Sequence, residues 1–355
     1  MKKKVFCGDV QIGGGAPVSI QSMTNTATAD VKSSLEQIAR LRDAGCEIIR
    51  LAVPDMEAAH ALKEIKAKAG IPVVADIHFD YRLALESMKS GVDKIRINPG
   101  NIGSRDNIKK VVDMAKEREI PIRVGVNSGS LEKDILERYG RVTAEGLAES
   151  ALRNVKILEE LDFDDIVISL KSSSVPMNYK AYKIVDEACS YPLHIGVTEA
   201  GIPSRGRIKS AAGVGALLLE GIGDTMRISL TADPVEEIVM ARELLAALGM
   251  RQEKAEIVSC PTCGRTEVNL EAIASEIDRR AAALYDRLGP DARPIKIAVM
   301  GCVVNGPGES KGADIGVACG RSKGVIFKKG EIIKTVNESE ITDEIIKLAE
   351  EFGRE

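Results

Sequence analysis

The sequence predicts an α/β protein, an N-terminal (β/α)8 barrel followed by a small α+β domain. Three observations carry this. Short apolar runs alternate with helix-patterned segments about eight times between residues 17 and 245, the usual span of such a barrel. The runs are continuously apolar rather than alternating, as strands of a parallel sheet covered on its outer face should be. After Leu245 the rhythm stops, and residues 249–254 form a polar break before a segment of different pattern. The expected domains are 1–248 and 249–355.

Residues 5–19 read as a hairpin turning at Gly13-Gly14-Gly15; no Gly-Lys-Ser/Thr follows, so the glycines do not make a phosphate loop. Residues 18–23 form the first strand of the rhythm. Asp30 then caps a helix that carries Leu35, Ile38 and Leu41 on one face and stops at Gly45. A strand over 46–53 and a helix over 56–69 follow. Further strands are expected at 71–77, 94–98, 120–127, 165–171, 193–198 and 225–230. A doubly wound open sheet is the competing arrangement. No strand is followed by Gly-x-Gly-x-x-Gly, however, and Gly213-Val214-Gly215 lacks the third glycine. The same absence argues against a nicotinamide or flavin dinucleotide held by this chain.

Beyond the polar break come a Cys-x-x-Cys turn, an amphipathic helix over 270–288 ended by Gly289-Pro290, and a strand over 295–300. Strands at 315–318 and 325–327, a turn at Lys328-Lys329-Gly330-Glu331 and a helix over 342–352 complete the α+β domain.

Composition narrows the function. Of 355 residues, 44% are hydrophobic and 29% charged, with a net charge of −4, which excludes a general nucleic-acid or membrane-surface binder. No run approaches the roughly 20 apolar residues of a membrane helix. Seven cysteines, an odd number scattered through a long chain, do not make a secreted disulfide framework and point to a reduced, cytoplasmic protein. Aromatic residues are 3% and tryptophan is absent, so base-stacking platforms are not expected.

A barrel keeps its chemistry at the C-terminal ends of its strands. Read in order, those ends carry Arg50, Asp76 with His78, Arg96 with Asn98, Arg123 with Asn127, Lys171, Glu199, and Arg227 with Ser229. One such arginine is commonly a solvated rim residue. Four arginines and a lysine at one mouth, in an acidic protein, point to a phosphorylated or diphosphorylated small substrate, because guanidinium forks match phosphate oxygens. Asp76 and Glu199 are candidates for moving protons or gripping hydroxyls, or else simply pair with the arginines. His78 and His194 read as packed barrel residues.

The second domain holds the other chemistry. Ser259-Cys260-Pro261-Thr262-Cys263-Gly264 is a Cys-x-x-Cys pair in a turn, and Cys302 follows the apolar run 295–300, with Glu309 shortly after. Three thiolates and a carboxylate suit an iron–sulfur cluster with one iron unlike the others. An all-cysteine zinc site completed by Cys319 remains open on spacing, and a thioredoxin-like dithiol fits less well because no βαβ pattern surrounds Cys260.

The motifs taken together resemble one family. Ser-Met-Thr-Asn-Thr at 22–26, Arg-Leu-Ala-Val at 50–53, Ala-Asp-Ile-His-Phe at 75–79, Arg-Ile-Asn-Pro-Gly-Asn at 96–101, Arg-Val-Gly-Val-Asn-Ser-Gly-Ser-Leu at 123–131, His-Ile-Gly-Val-Thr-Glu-Ala-Gly at 194–201, the Cys-x-x-Cys turn and Gly-Cys-Val-Val-Asn-Gly-Pro-Gly-Glu at 301–309 are similar to those of the bacterial 4-hydroxy-3-methylbut-2-enyl diphosphate synthases. The resemblance runs in order along nearly the whole chain. It implies the compact two-domain form, a TIM barrel followed by an iron–sulfur domain. It implies reductive opening and dehydration of 2-C-methyl-D-erythritol 2,4-cyclodiphosphate in non-mevalonate isoprenoid synthesis. By the same resemblance, Cys260, Cys263, Cys302 and Glu309 hold a [4Fe–4S] cluster. Arg50, Arg96, Arg123, Asn127, Lys171, Arg227 and Ser229 hold the diphosphate, and Asp76 and Glu199 face the carbon skeleton. The partners implied are flavodoxin or ferredoxin as electron donor and a second copy in a head-to-tail homodimer.

Overall fold

A computed structural model of the chain describes residues 2–289, 291–302 and 312–355, with Ser130 in its backbone only. It divides into two compact units, Met1–Met250 and Arg251–Glu355, at a boundary inside the polar break read from the sequence.

The first unit opens with an antiparallel hairpin, β1 (Val5–Cys7) and β2 (Val10–Ile12). Its turn is Gly8-Asp9, with Gly8 at φ 59°, and not the expected Gly13-Gly14-Gly15 run. Glycines mark where the chain can take positive φ, whereas pairing register follows the face that must be buried. That face is Val5, Cys7 and Ile12, which pack on Ile48, Val74 and Val167 and cover the N-terminal end of the barrel.

Eight parallel strands follow: β3 (Ser19–Met23), β4 (Ile48–Val53), β5 (Val73–Ile77), β6 (Lys94–Ile97), β7 (Ile122–Asn127), β8 (Ile166–Lys171), β9 (His194–Ile195) and β10 (Thr225–Met226). From β3 to β8 each strand pairs with the next; β9 pairs with β10, and β10 returns to β3. The ring closes between β8 and β9 through the bridge Ile168–Leu193, where the Ile168 N–H donates to Pro192 O at 2.9 Å. The expected barrel is therefore present and the open sheet is not.

The helices of this unit are α1 (Val31–Asp43), α2 (Met56–Lys68), α3 (Tyr81–Lys89), α4 (Arg105–Glu117), α5 (Lys133–Tyr139), α6 (Ala144–Glu159), α7 (Val175–Ala188), α8 (Pro203–Leu219) and α9 (Pro234–Ala247). Asp30 caps α1 as expected, accepting from Ser33 N–H, and Asp55, Asp80, Ser104, Thr143 and Asp233 cap their helices in the same way. β9 is shorter than its apolar run because side chains of α7 take its backbone groups. The Tyr182 hydroxyl accepts from Leu170 N–H at 3.1 Å and donates to His194 O at 2.7 Å. Asn178 accepts from Ser172 N–H at 3.1 Å and donates to Gly196 O at 3.2 Å.

The second unit contains β11 (Ala255–Ser259), α10 (Leu270–Leu288), β12 (Ile295–Met300), β13 (Ile315–Gly320), β14 (Lys323–Lys328), β15 (Glu331–Asn337) and a closing helix, Ile341–Arg354. The five strands lie in chain order, β11, β12 and β13 parallel and the last two antiparallel. Ile277, Leu284 and Tyr285 of α10 and Ile345 and Phe352 of the closing helix pack on Ile297 and Val317. The β14–β15 turn is the expected one, Lys329 and Gly330 both taking positive φ. β11 was not expected, and β15 was implied only by the hairpin turn before it. Both are edge strands of mixed polarity, so neither offers a continuous or alternating apolar signal. Among the described residues no helix is long and apolar enough to cross a membrane.

Candidate functional site

The inward-facing residues of β4 to β8 stack charge where most barrels stack Val, Ile and Leu. At the C-terminal end one pocket is lined by Arg50, Asp76, Arg96, Arg123, Asn127, Lys171, Arg227 and Ser229, all expected, together with His78, Ser169, Val197 and Thr198.

Asp76 is the hinge of its ion pairs. Its carboxylate lies 3.1 Å from Arg96 Nη1 and 3.6 Å from Arg50 Nε. Burial alone raises such a carboxyl, but Arg50, Arg96 and Arg123 outweigh it and hold Asp76 well below the carboxylate range. Asp76 is thus held in its anionic form between two guanidinium groups, the pairing with arginines that the sequence reading set beside proton handling. Arg50 also points N–H groups at Met23 Sδ, at 3.0 and 3.2 Å.

Arg96 lies across β7, donating to Gly125 O at 3.3 Å. A Cβ on Gly125 would come 2.3 Å from Arg96 Nε, so this crossing requires glycine. Arg96 Nη1 also donates to His78 Nε2 at 2.9 Å. An acceptor Nε2 fixes the neutral tautomer with its proton on Nδ1, consistent with burial and Arg96 pulling the imidazole below its usual value. In the orientation that satisfies both its groups, the Asn127 amide accepts from Arg96 Nη2 at 3.3 Å and donates to Val126 O at 3.2 Å.

Arg123 is 1% exposed and its Nε and Nη1 have no hydrogen-bond partner. Lys171 is buried at the end of β8, its Nζ beside Gly196, where a Cβ would come within 3.2 Å of it. Burial, then Arg50, Arg227, Arg123 and Arg96, push the Lys171 ammonium well below its ordinary value. Arg227 is aligned by Glu237 of α9 through contacts of 3.2–3.3 Å, and Glu237, 3% exposed, also accepts from Leu230 N–H at 3.0 Å.

Glu199 is exposed and does not line the pocket; it follows Thr198, which does, and holds φ 52°. Phe79, after His78, holds φ 65° and is 73% exposed. Non-glycine residues at positive φ concentrate at functional sites, and these two sit at strand ends on this rim. The reading of His78 as a packed residue fails, since its side chain is half-exposed and faces the pocket; that of His194, fully buried, holds. Its place two residues after Asp76 was the signal for His78. Glu237 gave none, because acidic residues in a first helical turn ordinarily answer the helix dipole.

In the second unit, β11 and β12 pair in parallel with Ser259 opposite Val299, and each runs at its C-terminal end into a cysteine segment. The Gly301 N–H donates to Cys260 Sγ at 3.2 Å, which brings the residue before Cys302 against Cys260. The Cys263 turn is held by Cys263 N–H to Thr266 Oγ1 at 3.1 Å and Thr266 N–H to Cys263 O at 2.9 Å. Backbone hydrogen bonding from Arg265 holds the exposed Cys263 thiol below its usual value. Soft thiolates with N–H donors at sulfur are the donor set that iron and sulfide prefer. Among the described residues no three His, Cys, Asp or Glu side chains are already gathered around one point. Glu309 lies outside the described residues.

A cationic barrel mouth and a thiol-bearing sheet end on one chain suit a class of protein, oxidoreductases that bind an anionic small molecule and use thiolate-held metal. Comparison specifies it. Residues 2–242 match the GcpE TIM-barrel domain and residues 256–351 the GcpE protein C-terminal domain. A protein of Caldanaerobacter subterraneus subsp. tengcongensis is 55% identical over 355 residues, covering 100% of this chain and 98% of that one. One from Ruminiclostridium cellulolyticum is 58% identical over 350 residues, covering 99% and 97%. Both are named 4-hydroxy-3-methylbut-2-en-1-yl diphosphate synthase (flavodoxin). The chain belongs to the GcpE family, whose enzymes are iron–sulfur dependent. The solved structure of 3-dehydroquinate dehydratase from Geobacillus kaustophilus, 15% identical with a TM-score of 0.50 over 71% of this chain and 100% of that one, shares the barrel fold alone.

Proposed function

We propose that the chain reductively opens and dehydrates 2-C-methyl-D-erythritol 2,4-cyclodiphosphate to (E)-4-hydroxy-3-methylbut-2-enyl diphosphate, with flavodoxin as electron donor. The observation that carries this is the barrel mouth, where, among the described residues, Arg50, Arg96, Arg123, Arg227 and Lys171 are set against two buried carboxylates, Asp76 and Glu237. Such a surplus suits a diphosphate. Arg50 and Arg96, aimed by Asp76, and Arg227, aimed by Glu237, fix the phosphoryl oxygens before reaction, which holds one ring C–O bond in a single orientation. When that bond breaks the oxygen stays on phosphorus with added negative charge, and Arg123 and Lys171, without ion-pair partners among the described residues, meet it. His78 offers a neutral Nδ1–H. Loss of the hydroxyl as water needs a proton, for which we assign Glu199, on the rim beside Thr198.

The two electrons would be supplied singly through a [4Fe–4S] cluster held by Cys260, Cys263 and Cys302, with Glu309 as the fourth ligand. The family resemblance supports that cluster type and a head-to-tail homodimer. Seven free cysteines suit a reducing, cytoplasmic setting. The test is an oxygen-free assay of the purified protein with the cyclic diphosphate and reduced flavodoxin, following product and iron content together. Formation of the hydroxybutenyl diphosphate supports the assignment. An iron-loaded protein that leaves the cyclic diphosphate intact overturns it.

A further inference from the structure

Lys171 shares with Arg123 the lack of an ion-pair partner among the described residues, and differs from all four arginines of the mouth in its chemistry. Among the described residues Lys171 has no hydrogen bond or ion pair, although it is buried, while Arg50, Arg96 and Arg227 are each paired with a carboxylate. It is also the only one of the five able to shed its charge, because a guanidinium keeps its proton inside proteins whereas a buried lysine yields. The groups around it come from every neighbouring strand. Arg50 stands on β4, Asp76 and His78 on and after β5, Arg96 on β6 with the buried Lys94 two residues below, Arg123 on β7, the neutral His194 on β9, and Arg227 after β10. Four guanidinium groups against Asp76 and Glu237 already leave two positive charges, which is the complement of a dianion. A fifth cation in an empty mouth faces only repulsion and lost hydration.

We propose that Lys171 is a neutral amine when the barrel mouth is empty and becomes an ammonium when a dianion binds, so that anion binding at this site takes up one proton. The proton comes from solvent and stays on Nζ, now matched by a phosphoryl oxygen. The consequence for the reaction follows from charge. A cyclic diphosphate carries one negative charge on each phosphorus and does not titrate near neutrality, whereas the opened diphosphate carries at least one more. The site thus gains its third positive charge in advance of the product's third negative one. This deepens the proposed function and rests on it only for the natural anion.

The test uses full-length, cluster-loaded protein and sulfate, which remains a dianion throughout the neutral range, so any proton taken up belongs to the protein. Isothermal titration in two buffers of different ionisation enthalpy should give an uptake approaching one proton per chain. Sulfate affinity should fall about tenfold per pH unit between the titration points of the empty and filled site. Lys171→Arg should abolish the uptake and flatten that slope, and His78→Gln should leave both in place. No sulfate binding, binding without uptake, uptake that survives Lys171→Arg, or uptake lost in His78→Gln each overturns the proposal. If Lys171→Arg does not fold, the wild-type slope decides alone, and a flat profile overturns it. The cyclic diphosphate separates the two readings. Turnover of the cyclic diphosphate by a protein whose sulfate binding takes up no proton sinks this inference and keeps the function, while sulfate-linked uptake with no turnover of the cyclic diphosphate does the reverse.

Discussion

Tyr182 and Asn178, one turn apart on α7, perform the same relay at successive levels of the barrel seam. Each side chain accepts a backbone N–H from the β8 side, Leu170 or Ser172, and donates to a carbonyl on the β9 side, His194 or Gly196. Lys171 lies between the two relay points. Tyr182→Phe removes one relay and leaves a buried N–H and carbonyl unmatched, a cost of about 1–3 kcal/mol for each orphaned group. Denaturant unfolding should show that loss, and anion affinity should weaken with it because the strand carrying Lys171 loses its spacing. A Tyr182→Phe protein as stable as wild type would show that the seam does not depend on the hydroxyl.

Gly125→Ala should be a catalytic defect rather than a folding defect. The added Cβ meets the far end of Arg96, which has to swing away from Asp76, Gly125 O and His78. Displacing an orienting guanidinium by about 1 Å costs on the order of 100-fold in kcat/KM. Steady-state kinetics beside a circular dichroism melt separates the two outcomes.

Asp76→Asn should change stability with pH in a definite direction. The folded-state carboxyl titrates below its unfolded value, so its contribution is present in full above the unfolded value and is lost as pH falls through the folded one. Wild type should exceed the variant by roughly 3 kcal/mol near neutrality, because the variant leaves buried arginines unpaired. The difference should shrink as the solution is acidified below about pH 4. Urea denaturation at a series of pH values reads this directly, and a constant difference would contradict the ion-pair assignment.

Cys302→Ser and Cys263→Ser should each lower iron content and bleach the visible spectrum of protein purified without oxygen, with the fold retained. Glu309→Ala should abolish turnover, and normal turnover by that variant would remove Glu309 from the ligand set. Cys7, Cys46 and Cys319 should stay unmodified by iodoacetamide in the native protein, since burial lifts their thiols to about 11, 12 and 11.

The barrel was legible because its strands are buried on both faces and so read as runs, and because strand ends in such a fold project into one space. That is how eight residues scattered from Arg50 to Ser229 were gathered correctly. What the sequence hid was pairing. For Asp76 pairing with arginines stood beside proton handling, and only distance shows that both its oxygens are committed to arginines. Glu237, in the first turn of α9, gave no signal and orders Arg227. The Gly13-Gly14-Gly15 run announced a turn that Gly8 and Asp9 make, and β11 and β15, edge strands of mixed polarity, carried no periodic signal.

The hairpin over the barrel floor has a further consequence. With Val5, Cys7 and Ile12 packed against Ile48, Val74 and Val167, the floor is shut among the described residues, and the cationic mouth is the end left for a small molecule. Whatever enters at the cationic mouth must leave through it, so spent molecule and fresh molecule queue at one threshold. Inhibition by the released diphosphate should therefore be competitive with the incoming one, and throughput should depend on how readily the same arginines let go.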